Sequence, residues 1–297
     1  MEINDVVIIG AGPAGIATAI QLKRYNIEPI LLEQKQIGGL LRNANLVENY
    51  PGFPQGINGL DIVELFKKQL DNSEVKVSFE RVVKLEFRDK LFFTKTNRRT
   101  IKSATVVIAT GTKPKTISSG LISDDTLERI LYEIYPIIGS KNKKIAIIGA
   151  GDVAFDYAIN LSRKNEIVVL SRSKQAKCIP VLWERFMKSE NISYLPNVIV
   201  RKISNQSSKL LLNCIFSDGQ EKILTNFDYV IAAKGRDPCL DFLGGQLKMN
   251  YKTLISRNKL YMVGDVKNGI YRQTAICVGD GLKAAMDIYR NIRRDSI

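Results

Sequence analysis

One short pattern occurs twice in this chain, and it restricts the fold more than any other feature. Val6 to Ile9 is a β-branched run, followed at once by Gly10-Ala11-Gly12-Pro13-Ala14-Gly15 and then by apolar residues at helical spacing, Ile16, Ala19 and Ile20. Lys144 to Ile148 is a second such run, followed by Gly149-Ala150-Gly151-Asp152-Val153-Ala154 and a helical stretch from Phe155 to Leu161. Strand, glycine turn and helix in this order form the phosphate-binding corner of a dinucleotide fold. The first glycine permits the tight turn, the second lets the backbone approach a pyrophosphate, and the third, or an alanine, lets helix and strand pack closely. The helix N-terminus then faces the phosphates.

Each corner is followed by another strand, Pro29 to Leu32 in the first copy and Ile167 to Leu170 in the second. The first ends in Glu33, a carboxylate able to accept both ribose hydroxyls. The second leads to Ser171 and Arg172, with Arg172 at the offset from Gly149 that Glu33 keeps from Gly10. The two sites therefore differ in sign. A carboxylate would repel a 2′-phosphate, whereas Arg172, helped by Lys174 or Lys177, would hold one, so NADPH is expected at the second site with NADH as the alternative donor. The competing reading of Arg172 is a charge at the edge of a solvent-facing loop.

Composition removes several chemistries. The chain of 297 residues contains no histidine, which excludes histidine bases, Ser-His-Asp triads and histidine metal sites, and no metal site is expected. Its four cysteines, Cys178, Cys214, Cys239 and Cys277, form no CxxC, so buried free thiols are expected and any redox chemistry must come from a cofactor. No apolar run is long enough for a membrane span and no leader precedes the first strand, which predicts a soluble, cytoplasmic protein. The net charge of +14 admits two readings, a generally basic solvated surface or a docking face for an acidic protein. Nucleic acid is not expected, because the cations are scattered and no recognition motif accompanies them.

Further segments carry a resemblance. Gly38-Gly39-Leu40-Leu41, Glu48-Asn49-Tyr50-Pro51-Gly52, Ala109-Thr110-Gly111, Val263-Gly264-Asp265-Val266 and Tyr271-Arg272-Gln273-Thr274-Ala275 are similar, with the two glycine turns, to segments of the low-molecular-weight thioredoxin reductase family over essentially the whole chain. The resemblance implies an α/β fold of two Rossmann-like domains: an FAD domain of residues 1–112 plus 241–297, and an inserted NAD(P)H domain of 113–240. It implies FAD held by Gly10, Gly12, Pro13, Ala14, Gly15, Glu33, Gly39, Leu40, Asn49, Ala109, Thr110, Gly111, Gly264, Asp265, Arg272, Gln273 and Thr274. NADPH would lie on Gly149, Gly151, Asp152, Val153, Ala154, Ser171, Arg172, Lys177 and Gly235. A homodimer is implied on the same ground. Read without the family, Gly264-Asp265 is a turn closing a strand and Arg272 a surface charge.

The chain departs from the family at one place. Counting back from Gly149, the catalytic CxxC-Asp falls on Tyr132-Glu133-Ile134-Tyr135-Pro136, so both thiols and the general acid are missing together. Tyr132 and Tyr135 either lie over the flavin or are ordinary packing on an amphipathic segment. Three functions follow as expectations. One is an NADPH-oxidising flavoprotein that passes electrons to a small acidic redox protein such as ferredoxin or flavodoxin. The others are an oxidase or diaphorase acting on oxygen or quinone, and a nucleotide-sensing flavoprotein without turnover. The ferredoxin reductases of similar fold carry a C-terminal extension, and this chain stops shortly after Tyr289.

Overall fold

The computed structural model describes residues 3–295. They divide into two compact units, one of residues 3–42, 46–113 and 237–295 and one of residues 43–45 and 114–236. The first unit opens with β1 (Ile3–Ile9), α1 (Pro13–Lys23), β2 (Ile30–Glu33), α2 (Gly59–Asn72), β3 (Val77–Phe79), β4 (Val82–Arg88), β5 (Leu91–Thr96), β6 (Thr100–Ile108) and β7 (Thr112–Pro114). β1 starts three residues before the expected Val6, because Ile3 and Asn4 already pair with Lys102 and Ser103 of β6.

β1 lies in the middle of a parallel core, with β2 on one side and β6 on the other. Alternate residues of a strand point to opposite faces, and a parallel strand covered on both faces must be apolar throughout. Accordingly Val6 and Ile8 pack in one buried cluster while Val7 and Ile9 pack in another. Burying each such side chain contributes about 1.5–3 kcal/mol. Pro13 opens α1, where its missing N–H and fixed φ cost nothing.

The inserted unit repeats the plan with β8 (Ile130–Leu131), β9 (Lys144–Ile148), α3 (Asp152–Ser162), β10 (Glu166–Leu170), α4 (Pro180–Met187), β11 (Ile192–Leu195), β12 (Ile199–Gln206), β13 (Lys209–Ile215), β14 (Glu221–Phe227) and β15 (Tyr229–Ala232). Five of these strands form a parallel sheet in the order β11-β10-β9-β15-β8, and β12-β13-β14 form an antiparallel meander. The alternation recurs, with Ile145 and Ile147 on one face of β9 and Ala146 on the other. α3 begins at Asp152, earlier than the expected Phe155, so the end of the glycine motif forms the first helical turn.

The chain returns to the first unit through β16 (Arg236–Pro238), which pairs with β7, and continues as α5 (Gly245–Ser256), β17 (Leu260–Met262) and α6 (Thr274–Asp295). On the edge away from β1, β6 serves two partners along its length: Thr100–Ser103 pair antiparallel with β5, and Val106–Ile108 pair parallel with β17. The first sheet thus has seven strands, ordered β3-β2-β1-β6-β5-β4 with β17 beside β6.

Three stretches fall on the other side of the expected boundaries. Lys113 and Asp237–Leu240 belong to the first unit; Thr110 Oγ1 donates to the Cys239 carbonyl at 2.7 Å and Cys239 N donates to the Gly111 carbonyl at 3.1 Å. Asn43–Asn45 belong to the second unit. Asn43 Oδ1 accepts from the amides of Ile134 and Tyr135 at 3.0 and 2.9 Å, and Arg163 donates to Asn45 Oδ1 at 2.9 Å.

Candidate functional site

The carboxyl ends of β1, β2, β6 and β17 meet at one end of the first sheet, the position at which open α/β sheets bind their ligands. Gly10 takes φ +106°, and a Cβ there would stand 2.5 Å from the Ala109 carbonyl oxygen, so only glycine fits between β1 and β6. At Gly12 a Cβ would meet nothing within 4 Å. The backbone at the head of α1 therefore faces open space, as a bound pyrophosphate requires.

Most of the FAD candidates gather around this turn. Gly38 N donates to the Ala11 carbonyl at 2.8 Å, which lays Gly39 and Leu40 over the glycine corner. Glu33 Oε2 accepts from Ala11 N and Oε1 from Lys35 N, each at 2.9 Å, fixing the carboxylate at the end of β2. Asn49 Nδ2 donates to Gln273 Oε1 at 2.8 Å, joining two candidates far apart in sequence. Gly264 and Asp265 follow β17, and Gly264 packs against Ala14 of α1. Arg272 and Thr274 lead into α6, with Arg272 partly buried. The Thr110 hydroxyl donates to the Cys239 carbonyl at 2.7 Å.

The second corner has the same construction. Gly149 takes φ +144° with a Cβ position 2.3 Å from the Ala233 carbonyl oxygen, and a Cβ on Gly151 would again enter open space. Ala154 is buried against the sheet and Val153 is exposed. Asp152 Oδ1 accepts from Ile179 N at 2.8 Å, and Lys177 N donates to the Ala150 carbonyl at 2.7 Å, so the 177–179 loop lies beside the glycine turn. Arg172 and Lys177 are exposed. Ser171 is buried and accepts from Ser173 N at 3.1 Å, so it shapes the loop that carries Arg172. Gly235, in the crossover, has φ +104° and accepts from Lys115 N at 2.9 Å.

Neither tyrosine lies on an α-helix. Tyr132 follows β8, packs among buried residues of the inserted unit, and its hydroxyl accepts from Ile117 N at 3.2 Å. Tyr135 opens a 3-10 turn and is 36% exposed. None of the four cysteines is in a disulfide. Burial pushes the Cys214 thiol up to about 11 and raises those of Cys178 and Cys277, the last further raised by the Asp265 carboxylate. Among the described residues no group of histidine, cysteine or acidic side chains could hold a metal, and no helix is long and apolar enough to cross a membrane.

Sequence reasoning missed the support behind Asp265. Asp280 of α6 accepts from Gly264 N at 3.0 Å and from Asn268 Nδ2 at 2.7 Å, and Lys267 Nζ lies 2.8 Å from its other oxygen. Neither motif nor periodicity marks this acid.

Residues 4–281 match the profile of the pyridine nucleotide-disulphide oxidoreductase family. The chain belongs to that family. Within this oxidoreductase family it is similar to a thioredoxin reductase of Chlamydia pneumoniae, 29% identical with 97% of this chain and 98% of the relative covered. It is also similar to the crystal structure of T. acidophilum thioredoxin reductase, with a TM-score of 0.84, 28% identity, and 97% and 98% of the two chains covered. In fold alone it resembles a bacillithiol disulfide reductase of Staphylococcus aureus, with a TM-score of 0.76, 19% identity and 100% of both chains covered.

This pyridine nucleotide-disulphide oxidoreductase is thus thioredoxin reductase-like, with two Rossmann-like dinucleotide-binding domains, and the cofactors of its family are FAD and NADPH. The residues present fit them. Each glycine corner leaves space at the head of a helix, an acid follows the first corner and a base the second.

Proposed function

We propose that this chain is an FAD-dependent NADPH oxidoreductase that delivers electrons to an acceptor other than a disulfide, foremost a small acidic redox protein of the ferredoxin or flavodoxin kind. One observation carries the reading: no two of its four cysteines lie within a CxxC, and tyrosines and a proline occupy the stretch where the family's dithiol and acid would fall. The upward-shifted thiols support it, since a protonated, buried thiol is a poor nucleophile.

In this reading Gly10 to Gly15 and Gly39 receive the pyrophosphate of FAD, Glu33 accepts the ribose hydroxyls, and Asp265 accepts from the ribityl chain. Gly149 to Ala154 receive the pyrophosphate of NADPH, and Arg172 with Lys177 grips its 2′-phosphate. FAD supplies a two-electron sink that takes hydride from NADPH and releases electrons singly or as a pair, so no thiol relay is needed. The chain's part is to bind, orient and exclude. The +14 charge favours an acidic acceptor, whose encounter it would accelerate at low salt. Homodimer assembly and a cytoplasmic location belong to the same reading.

The test is a steady-state comparison of acceptors. Ferredoxin-dependent cytochrome reduction that falls steeply with salt is expected, with no thioredoxin-dependent cleavage of a dithiol probe. Salt-independent peroxide production would instead favour the oxidase or diaphorase, and no flavin reduction by NADPH would favour the sensor.

A further inference from the structure

The turn that carries Asp265 is held from behind by the helix that follows it. Asp280 reaches back from α6 to take the Gly264 amide and the Asn268 side chain on one oxygen, with Lys267 on the other. Three and four residues apart on a helix means one face. Cys277 is on that same face, one turn before Asp280, and its Sγ donates to Asp265 Oδ1 at 3.2 Å. α6 is itself tightly seated: a Cβ on Gly281 would stand 2.3 Å from the Ala14 carbonyl oxygen, and Thr18 Oγ1 donates to the Gly281 carbonyl at 3.3 Å. Residues 277 and 280 are therefore set by the same α1–α6 contact that places the first glycine corner.

Resting on the reading of Asp265 as a flavin ligand, we propose that Cys277 and Asp280 are positioning residues that hold the Gly264–Asn268 turn, and with it the Asp265 carboxylate, in the form that receives the ribityl chain of FAD. The chemistry of each suits that task. Burial raises the Cys277 thiol and the adjacent Asp265 charge raises it further, so it stays an S–H donor. Burial also pushes Asp280 up, but Lys267, Asn268 and the Gly264 amide outweigh it and keep the carboxylate anionic. A carboxylate accepting three such contacts fixes a turn that would otherwise be free to move on its glycine at φ +74°. Cys277 thus has a use that involves no electron transfer.

The test follows flavin release from the holoenzyme, read as free FAD fluorescence after dilution, in Asp265→Ala, Asp280→Ala, Asp280→Asn, Cys277→Ala and Cys277→Ser. Asp280→Ala should release FAD about tenfold faster, Asp280→Asn less so because its amide oxygen can still accept from Gly264 N, and Cys277→Ala about threefold faster. Cys277→Ser, which keeps a donor, should behave as the parent, and Cys277→Ala should add nothing in an Asp265→Ala background. A plain packing role would show neither the serine rescue nor the loss of additivity. Parent-like release from Asp280→Ala and Cys277→Ala, with fast release from Asp265→Ala, overturns the positioning role and leaves the Asp265 reading intact. Parent-like release from Asp265→Ala overturns both. If Asp280→Ala does not fold, Asn268→Ala replaces it, with about threefold faster release expected and parent-like release overturning the proposal.

Discussion

Glu33 Oε2 accepts the backbone N–H of Ala11 at 2.9 Å, which ties the acid at the end of β2 to the glycine corner after β1. Glu33→Ala is expected to weaken FAD binding at least tenfold, because it removes the ribose acceptor and frees the corner. Titration of flavin fluorescence checks this, and unchanged affinity would detach Glu33 from the site.

Arg172 should decide between the two nicotinamides. Removing an Arg–phosphate contact costs about 1.5–3 kcal/mol, so Arg172→Ala should lower kcat/KM for NADPH by about 10- to 100-fold and leave NADH nearly unchanged. Parallel steady-state assays with both donors measure it. An equal loss for both would make Arg172 part of the loop's structure.

Asp156 gives a pH-dependent prediction. Burial pushes its carboxyl up to about 6 from the model-peptide value of 3.8, although Asn45 N donates to it at 3.1 Å. A native pKa raised above the unfolded one favours the folded state when protonated. This contribution is therefore complete below about pH 4 and lost as pH rises through about 6, amounting to on the order of 2–3 kcal/mol. Asp156→Asn should flatten the fall in stability over pH 4 to 6.5 and raise Tm at pH 7.5, and denaturation curves at several pH values will show whether it does.

Tyr132→Phe should leave turnover with a non-disulfide acceptor unchanged while costing about 1 kcal/mol of stability, because the hydroxyl accepts from Ile117 N. A changed rate with unchanged stability would assign Tyr132 to the electron path.

What could be read from the chain is what repeats locally. The β-branched runs at Val6–Ile9 and Lys144–Ile148, their glycine corners and the opposed charges of Glu33 and Arg172 sit at fixed short offsets, and the sheets place them as that spacing requires. What could not be read depends on partners distant in sequence. Nothing in Asn43-Ala44-Asn45 announces that Asn43 will take the amides of Ile134 and Tyr135, because a single side-chain acceptor leaves no periodic trace. The same holds for Asp280, an acid on a helix of mixed polarity whose role appears only when α6 folds back on the Gly264 turn. β6 also gave no sign that its two halves would take different partners, since a β-branched run fits either.

If electrons pass from NADPH to the flavin and onward with no sulfur relay, as proposed, a protein with Cys178, Cys214, Cys239 and Cys277 all replaced by serine should still turn over. Under anaerobic conditions NADPH should bleach its flavin, and steady-state reduction of ferricyanide or ferredoxin should run at the rate of the parent protein. Loss of that turnover in the cysteine-free protein, or thioredoxin-dependent cleavage of a dithiol probe by the parent, would contradict the account.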